Sequence, residues 1–418
     1  MREIGTTHTL QLRLLLCRLV ITLMAMTGAT VSLAQSDEIA MPSGMIETAY
    51  VPAHVSARIA RSACGKWTVV KSPDGPSMHN SLISVSASAA NNIWAVGGYN
   101  SGDFGPVKTL TERWNGQKWS VVRSVNAGAE DDLYGVAAVS PTDVWAVGYF
   151  MPQLTSPQMA VIQRWDGKNW SVVPSPRPGQ LSLLFGVRAV AANDVWAAGF
   201  YYNSAGNSQG LIEHWEGKKW SLVPSPNPGA TNNELHAFAV VSAKDIWVVG
   251  AQSSDQGNTY QTLIERWDGK TWSVVPSPSP GSPYNNLDGV TAVTANDAWT
   301  VGSFSGSTFV DQTLVEYWDG KNWTVVPTRD IGPAGNYLTD VSALGTDVWA
   351  VGHYFKSGVA QTLVERWDGT QWSIVHSPNP GPQWDQLSKM TEISNTLWSV
   401  GYFATSNAGH TLVESLCH

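Results

Sequence analysis

Apolar and polar residues in this chain cluster in short bursts, and no stretch shows a helical period of useful length. Residues 235–241, 246–250, 262–267 and 272–276 are four such bursts, rich in Val, Trp and Ile and bounded by Gly, Asn, Asp, Ser or Pro. That pattern predicts four short strands. Apolar residues fall at both parities, as in Ile246, Trp247, Val248 and Val249. Strands of that kind are expected where both faces of a sheet are covered. Between the last two bursts, residues 265–278 read Glu-Arg-Trp-Asp-Gly-Lys-Thr-Trp-Ser-Val-Val-Pro-Ser-Pro, a strand, a tight turn and a strand.

The four-burst unit repeats. An Asp-x-Trp-Ala-Val-Gly type motif places Trp at 94, 145, 196, 247, 299, 349 and 398. An Arg-Trp-Asp-Gly type motif places Trp at 114, 165, 215, 267, 318 and 367, and a third Trp opens the next strand at 67, 119, 170, 220, 272, 323 and 372. These positions hold all of the 21 Trp residues except Trp384. Four-stranded units repeated seven times at a period of about 50 predict an all-β fold, a seven-bladed β-propeller. The last repeat stops after its third strand, at residues 411–416, while residues 67–70 form an unattached fourth strand at the other end. Pairing the two would complete the terminal blade three-plus-one and remove the open edges. Cys417 then stands where other repeats have the turn Asp, and Cys64 just before the turn Gly. A disulfide between Cys64 and Cys417 is expected, stabilising by about 4–5 kcal/mol in the chain-entropy picture.

At these motifs the sequence resembles kelch-type propellers, including the galactose-oxidase central domain. Trp-Ala-Val-Gly stands in the place of that family's Gly-Gly strand end, and Arg-Trp-Asp-Gly-x-x-Trp in the place of its Tyr-Asp, turn and Trp. The likeness covers about 350 residues, from the first repeat to the last. The Gly doublet itself occurs only at Gly97-Gly98. The chain also resembles the Trp-rich WDG/WAVG repeat type found in exported bacterial proteins. Copper-radical chemistry of the galactose-oxidase kind needs a Cys cross-linked to Tyr, and Cys64 and Cys417 are both terminal, so that activity is not expected.

Composition narrows the partners. Net charge is −8, and becomes −10 without Arg2, Glu3, Arg13 and Arg18. With no Lys/Arg cluster, neither nucleic acid nor an anionic membrane surface is an expected partner. Residues 1–34 read as a cleaved signal peptide: Arg13 and Arg18 precede an apolar run, and Ser32-Leu33-Ala34 offers a cleavage site before Gln35. Residues 35–62 carry no repeat and read as a flexible linker or propeptide, and residues 63–418 as the propeller. The expected product is a secreted, extracellular, bacterial protein with no membrane span, a monomer.

Repeated polar residues are expected to be architectural. Glu112, Glu213, Glu265, Glu316, Glu365 and Glu414, with Gln163 in the second copy, share one third-strand position, and ion pairing within and between blades is expected of them. Asp143, Asp194, Asp245, Asp297 and Asp347 are expected to bond turn N–H groups. No cofactor or metal is expected, since no His recurs and no two sit at ligand spacing. No nucleophile elbow or phosphate loop is present. Candidate chemistry therefore lies on the face that carries the second-to-third-strand loops and the segments between repeats. Aromatic rings beside amides and carboxylates there could stack on and hydrogen-bond sugar rings: Tyr149, Tyr201, Tyr354, Tyr402 and Trp384, with Asn233, Asn286, Asp132 and Asp385. The competing reading is that the first aromatic of each loop caps the core. No catalytic residue is assigned. The expectation is a non-catalytic binding or scaffold propeller for extracellular glycan or protein; the alternative is a secreted carbohydrate-active enzyme using two of Asp131, Asp132, Glu234, Asp288 and Asp385.

Overall fold

The computed structural model describes residues 66–416, except 101, 103, 104 and 307–309. The predicted signal peptide and linker and the Cys64–Cys417 pair lie outside the described residues. Among those described, every regular element is a strand and there is no helix. Four sheets have four strands each. In one of them Asn232–Ser242 pairs with Asp245–Ser253, which pairs with Gln261–Trp267, which pairs with Trp272–Val274, all antiparallel. A fifth, 12-stranded sheet is held together at two places by single parallel bridges, Ala360 to Trp384 and His79 to Gly409. On either side of those bridges it has the same antiparallel order as the smaller sheets.

The first strands contact one another in a circle. His79–Ala89 touches Glu130–Ser140, contacts pass on through Ser182–Ala191, Asn232–Ser242, Tyr284–Thr294 and Asn336–Leu344, and Trp384–Ile393 touches His79–Ala89 again. Thr68–Val69 pairs antiparallel with Gly409–Leu416, placing Thr68 opposite Ser415 and Val69 opposite Glu414. The N–H of Val70 donates to the carbonyl of Val413 at 2.8 Å, as Val275 does to Ile264 at 2.9 Å within one sheet. The two ends of the described chain thus meet by the bonds that join neighbouring strands elsewhere.

The core lies in the seams between sheets. Trp247 of one sheet packs at 5.1 Å from Trp318 and 5.3 Å from Trp323 of the next. The same group recurs as Trp94 with Trp165 and Trp170, Trp145 with Trp215 and Trp220, Trp196 with Trp267 and Trp272, and Trp299 with Trp367 and Trp372. Trp398 meets Trp114 and Trp119, and Trp349 meets Trp67. Each tilted or edge-on pair adds about 0.5–1.5 kcal/mol beyond its buried area. Both parities of the strands are apolar because each sheet meets a neighbour on each face.

Every first strand carries a β-bulge at one place, between Leu235 and Ala237 in the central sheet and at the equivalent step in the other six first strands. The glycine of Trp-Ala-Val-Gly sits opposite it. A Cβ on Gly250 would lie 1.9 Å from the Glu234 carbonyl oxygen, and Gly97, Gly148, Gly199, Gly302, Gly352 and Gly401 are as crowded. The motif's glycine is a close-approach requirement of the bulged partner strand. In the Asp-Gly turn the reason differs: Gly269 has φ 92°, and Asp268 Oδ1 accepts from the N–H groups of Lys270 and Thr271 at 2.8 Å.

Two architectural expectations need correction. At four of the five positions the Asp two residues before the Trp bonds a side chain rather than its turn. Asp245 accepts from Arg266 at 2.7 Å, Asp143 from Arg164 at 2.7 Å, and Asp347 pairs with Arg366. The guanidinium also lies over the Trp, 4.4 Å for Arg266 on Trp247. Turn N–H groups are taken instead by Ser or Thr hydroxyls, as Lys244 N–H by Ser242. The ring of glutamates is not ion-paired. Glu265 is fully buried in the seam and accepts from the Ser225 hydroxyl at 2.8 Å, Ser225 belonging to the preceding interblade segment. Burial pushes Glu265 up to about 7, and Glu112, Glu213, Glu365 and Glu414 up to about 8.

Candidate functional site

The segments between sheets end in a capping residue. Asn233 Oδ1 accepts from Gly229 N–H at 2.7 Å and its Nδ2 donates to the Gly229 carbonyl at 2.7 Å. Asp385 does the same acceptor work for Gly381 at 2.7 Å, and burial raises its carboxyl to about 6. Both side chains are buried, so this pair of sequence candidates closes the Pro-Gly turn into the first strand. Asp132 is buried, its Oδ1 accepting from Leu133 N–H at 3.0 Å. Asn286 is buried and donates to Asp288 Oδ1 at 2.7 Å.

The candidate aromatics divide. Tyr149 is fully buried and donates its hydroxyl to Glu130 at 2.6 Å. Tyr201 and Tyr354 are half-buried and pack on two seam cores, Tyr354 donating to Gln361 Oε1 at 2.6 Å. Trp384 is mostly buried, with Tyr402 stacked parallel to it at 6.3 Å and Phe355 edge-on at 5.3 Å. The structure therefore brings Trp384 and Tyr402 together and spreads the other candidates over separate sheets. Their packing favours the core-capping role at Tyr149, while Tyr201, Tyr354 and Tyr402 keep some exposed surface.

The bulges build a different feature. Their extra residues are Ile83, Tyr134, Phe185, His236, Asp288, Thr339 and Ser388, all half-buried. Neighbouring members meet around the circle. Tyr134 lies 5.4 Å from Phe185, and Phe185 lies 5.6 Å edge-on from His236. His236 Nδ1 donates to the Leu287 carbonyl at 3.0 Å and lies 3.5 Å from Asp288 Oδ1, and Nε2 lies 3.8 Å from Glu234. Burial opposes charging of His236, but Glu234, Asp288 and the Leu287 carbonyl outweigh it, and its pKa stands above the ordinary imidazole value. Lys389 spans the far side, donating to the carbonyls of Asp288 at 2.5 Å and Thr339 at 2.9 Å and lying 3.6 Å from Asp340. One arc of this neck is apolar and the opposite arc is charged. The space inside it is about 30 Å³.

Beyond the neck, toward the turns between first and second strands, the channel widens into a chamber of about 260 Å³. Among the described residues no group of three His, Cys, Asp or Glu is arranged to hold a metal ion, and no helix is long and apolar enough to cross a membrane.

No protein-family model and no curated protein matches the chain. Solved structures do. YCF48 bound to D1 peptide aligns over 84% of this chain and 97% of its own, with a TM-score of 0.53 and 15% identity. The polysaccharide lyase Uly1 aligns over 83% of this chain and 90% of its own, with a TM-score of 0.52 and 9% identity. Both are β-propellers with repeated four-stranded sheets, and at such identity the likeness shows the fold alone. The chain is thus an all-β protein of propeller type.

His236, Asp340 and Lys389 escaped the sequence reading as a group. Their signal was positional: each lies one or two residues after the Leu of its first strand, beside the bulge that the Trp-Ala-Val-Gly glycine marks.

Proposed function

We propose that this chain is an exported, seven-bladed propeller whose last blade is completed by the N-terminal strand, and that it binds an extracellular glycan or protein without catalysis. Seven Trp seams, seven bulged first strands and the pairing of Thr68–Val69 with Gly409–Leu416 support the blade count and the closure. The binding surface is the mouth of the channel on the side of the loops between second and third strands, down to the neck. One observation carries this reading. At the bulge, where the backbone is the same seven times, the side chains are seven different ones: Ile, Tyr, Phe, His, Asp, Thr and Ser. Repetition serves the scaffold, so the position that does not repeat is where recognition can be written. An aromatic arc facing His236, Asp288 and Lys389 suits a ligand with one apolar and one polar edge, such as a sugar ring or a peptide side chain. One propeller neighbour is bound to a peptide and the other is a polysaccharide lyase, which is compatible with either class.

A second reading, a carbohydrate-active enzyme, is favoured by His236 standing between Glu234 and Asp288. A glycan array and a polysaccharide-degradation screen separate the two. Retention of a glycan with no product, weakened at least about tenfold by Phe185→Ala or His236→Ala, supports binding. Product release that disappears in Asp288→Asn establishes the enzyme.

A further inference from the structure

Arg188 stands opposite the second-strand Trp of its sheet, Trp196. In the other six sheets that register position holds Ser86, Ala137, Ala239, Thr291, Ser342 and Thr391. Six small side chains and one arginine share a level of the channel. Five of the small ones, all but Ala239, line the chamber of about 260 Å³, and Arg188 lines both this chamber and the narrow space at the neck. Among the described residues no carboxylate pairs with Arg188. The charged or titratable groups near it are His236, Lys389 and Asp340 at the neck, the last two paired to each other, and Glu392 at the outer rim. Glu392 is exposed and accepts from Asn395 N–H at 2.9 Å.

A guanidinium carries five donors and no acceptor, and in a half-buried channel it demands an acceptor. The walls facing it offer the hydroxyls of Ser86, Thr291, Ser342 and Thr391. Ser86 Oγ already accepts from Ala138 N–H at 3.0 Å, which leaves its O–H to donate inward. The low-dielectric walls strengthen attraction for an anion at this one place in a protein of net charge −8.

The geometry points to a site for a compact oxyanion in the chamber, held by a fork from Arg188 and by the hydroxyls across the channel. Its volume suits a ligand the size of one sugar or less, below the usual range for drug-sized ligands. The Glu392 carboxylate at the entrance weakens anion binding without excluding it. The site lies beyond the neck, shares Arg188 with its lining, and does not rest on the binding function proposed above.

Titration calorimetry on the protein tests it, with glucuronate, phosphate and sulfate as probes and glucose as the neutral control. Saturable binding of an anion with Kd at or below about 1 mM is expected, with glucose at least tenfold weaker. Glucuronate binding marks an organic carboxylate site, and phosphate or sulfate binding alone marks an inorganic oxyanion site. Arg188→Ala is expected to weaken the anion at least tenfold. Arg188→Lys, which keeps the charge and loses the fork, is expected to fall between the two. Glu392→Gln is expected to tighten binding. The site is overturned if none of the three anions saturates, if glucose binds as tightly as glucuronate, or if Arg188→Ala, folded by its thermal transition, binds the anion unchanged.

Discussion

Glu265 shows how far a repeated acid can be from the role its charge suggests. Its carboxyl lies in a seam with Ser225 as a partner and no cation, and burial holds it near 7 against an ordinary value of 4.5. The folded state therefore binds the proton more tightly than the unfolded one. The stability this contributes is complete below the unfolded pKa and is lost as pH rises from about 4.5 through 7. The second repeat already holds the neutral isostere, Gln163, whose amide Nε2 donates to the Val125 carbonyl at 2.7 Å. Glu265→Gln is expected to leave stability unchanged at pH 5 and to raise it by on the order of 2–3 kcal/mol at pH 8.5, measured by denaturant unfolding at both pH values. His353 runs the other way: buried under Tyr337, Phe355 and Trp384, it is pushed down to about 4 and stays neutral at physiological pH. It is therefore part of the rim's aromatic packing, and no charge on it contributes there.

At the scale of one strand, the bulge and its facing glycine act as a unit. Gly250→Ala places a methyl within 1.9 Å of a backbone oxygen, where neither strand can yield without losing pairing. A loss of more than about 3 kcal/mol is expected by denaturant unfolding, against near neutrality for Gly306→Ala, where an added Cβ meets open space and the backbone is not left-handed. Trp247→Ala should cost about 3–5 kcal/mol, because it empties the seam against Trp318 and Trp323. These elements were largely legible in the sequence. Trp, Asp-Gly and Val-rich runs carry local signals for strands and tight turns, and the strands Ile246 to Val249 announced burial on both faces. The observed strands extend further than the apolar runs, as in Asn232 and Asn233, because backbone pairing continues where side chains turn polar. The partners of Asp245 and Glu265 were not legible. Arg266 follows Glu265 directly, but adjacent residues on a strand point to opposite faces, so the acid one sees in sequence beside the arginine is the one it cannot reach. The bulge residues were hidden for a related reason: a one-residue slip in pairing leaves no compositional mark of its own.

For the whole molecule, five glutamates near 7 or 8 titrate in one window, and burial raises Glu316 in the same direction. Each of the five loses stabilisation as pH rises from about 4.5 to 8, so their effects have the same sign. The thermal midpoint is expected to fall by at least about 5 °C between pH 5.5 and pH 8.5, followed by calorimetry, and this fall should shrink with each Glu→Gln replacement. The junction of the two chain ends follows the same rules as the internal seams. Ser72 donates to Glu112 at 2.7 Å and bonds Thr411 at 2.9 Å, and Asp74 accepts from Thr411 N–H at 2.9 Å. Asn379 accepts from Thr362 N–H at 2.8 Å in the same way inside the chain. For the proposed disulfide, a thiol titration of the unreduced protein lacking residues 1–34 should find no free thiol at Cys64 and Cys417.

That junction has a consequence for how the polypeptide could be rewired. If the contacts between first and last repeats equal those between any other two, the place where the backbone begins and ends is a matter of history. A circular permutant that joins residues 66 and 416 through a short linker and opens in the loop at Gln256 and Gly257 should fold to the same ring. Its stability then measures what covalent continuity adds at one seam over the hydrogen bonds and tryptophans that all of them share.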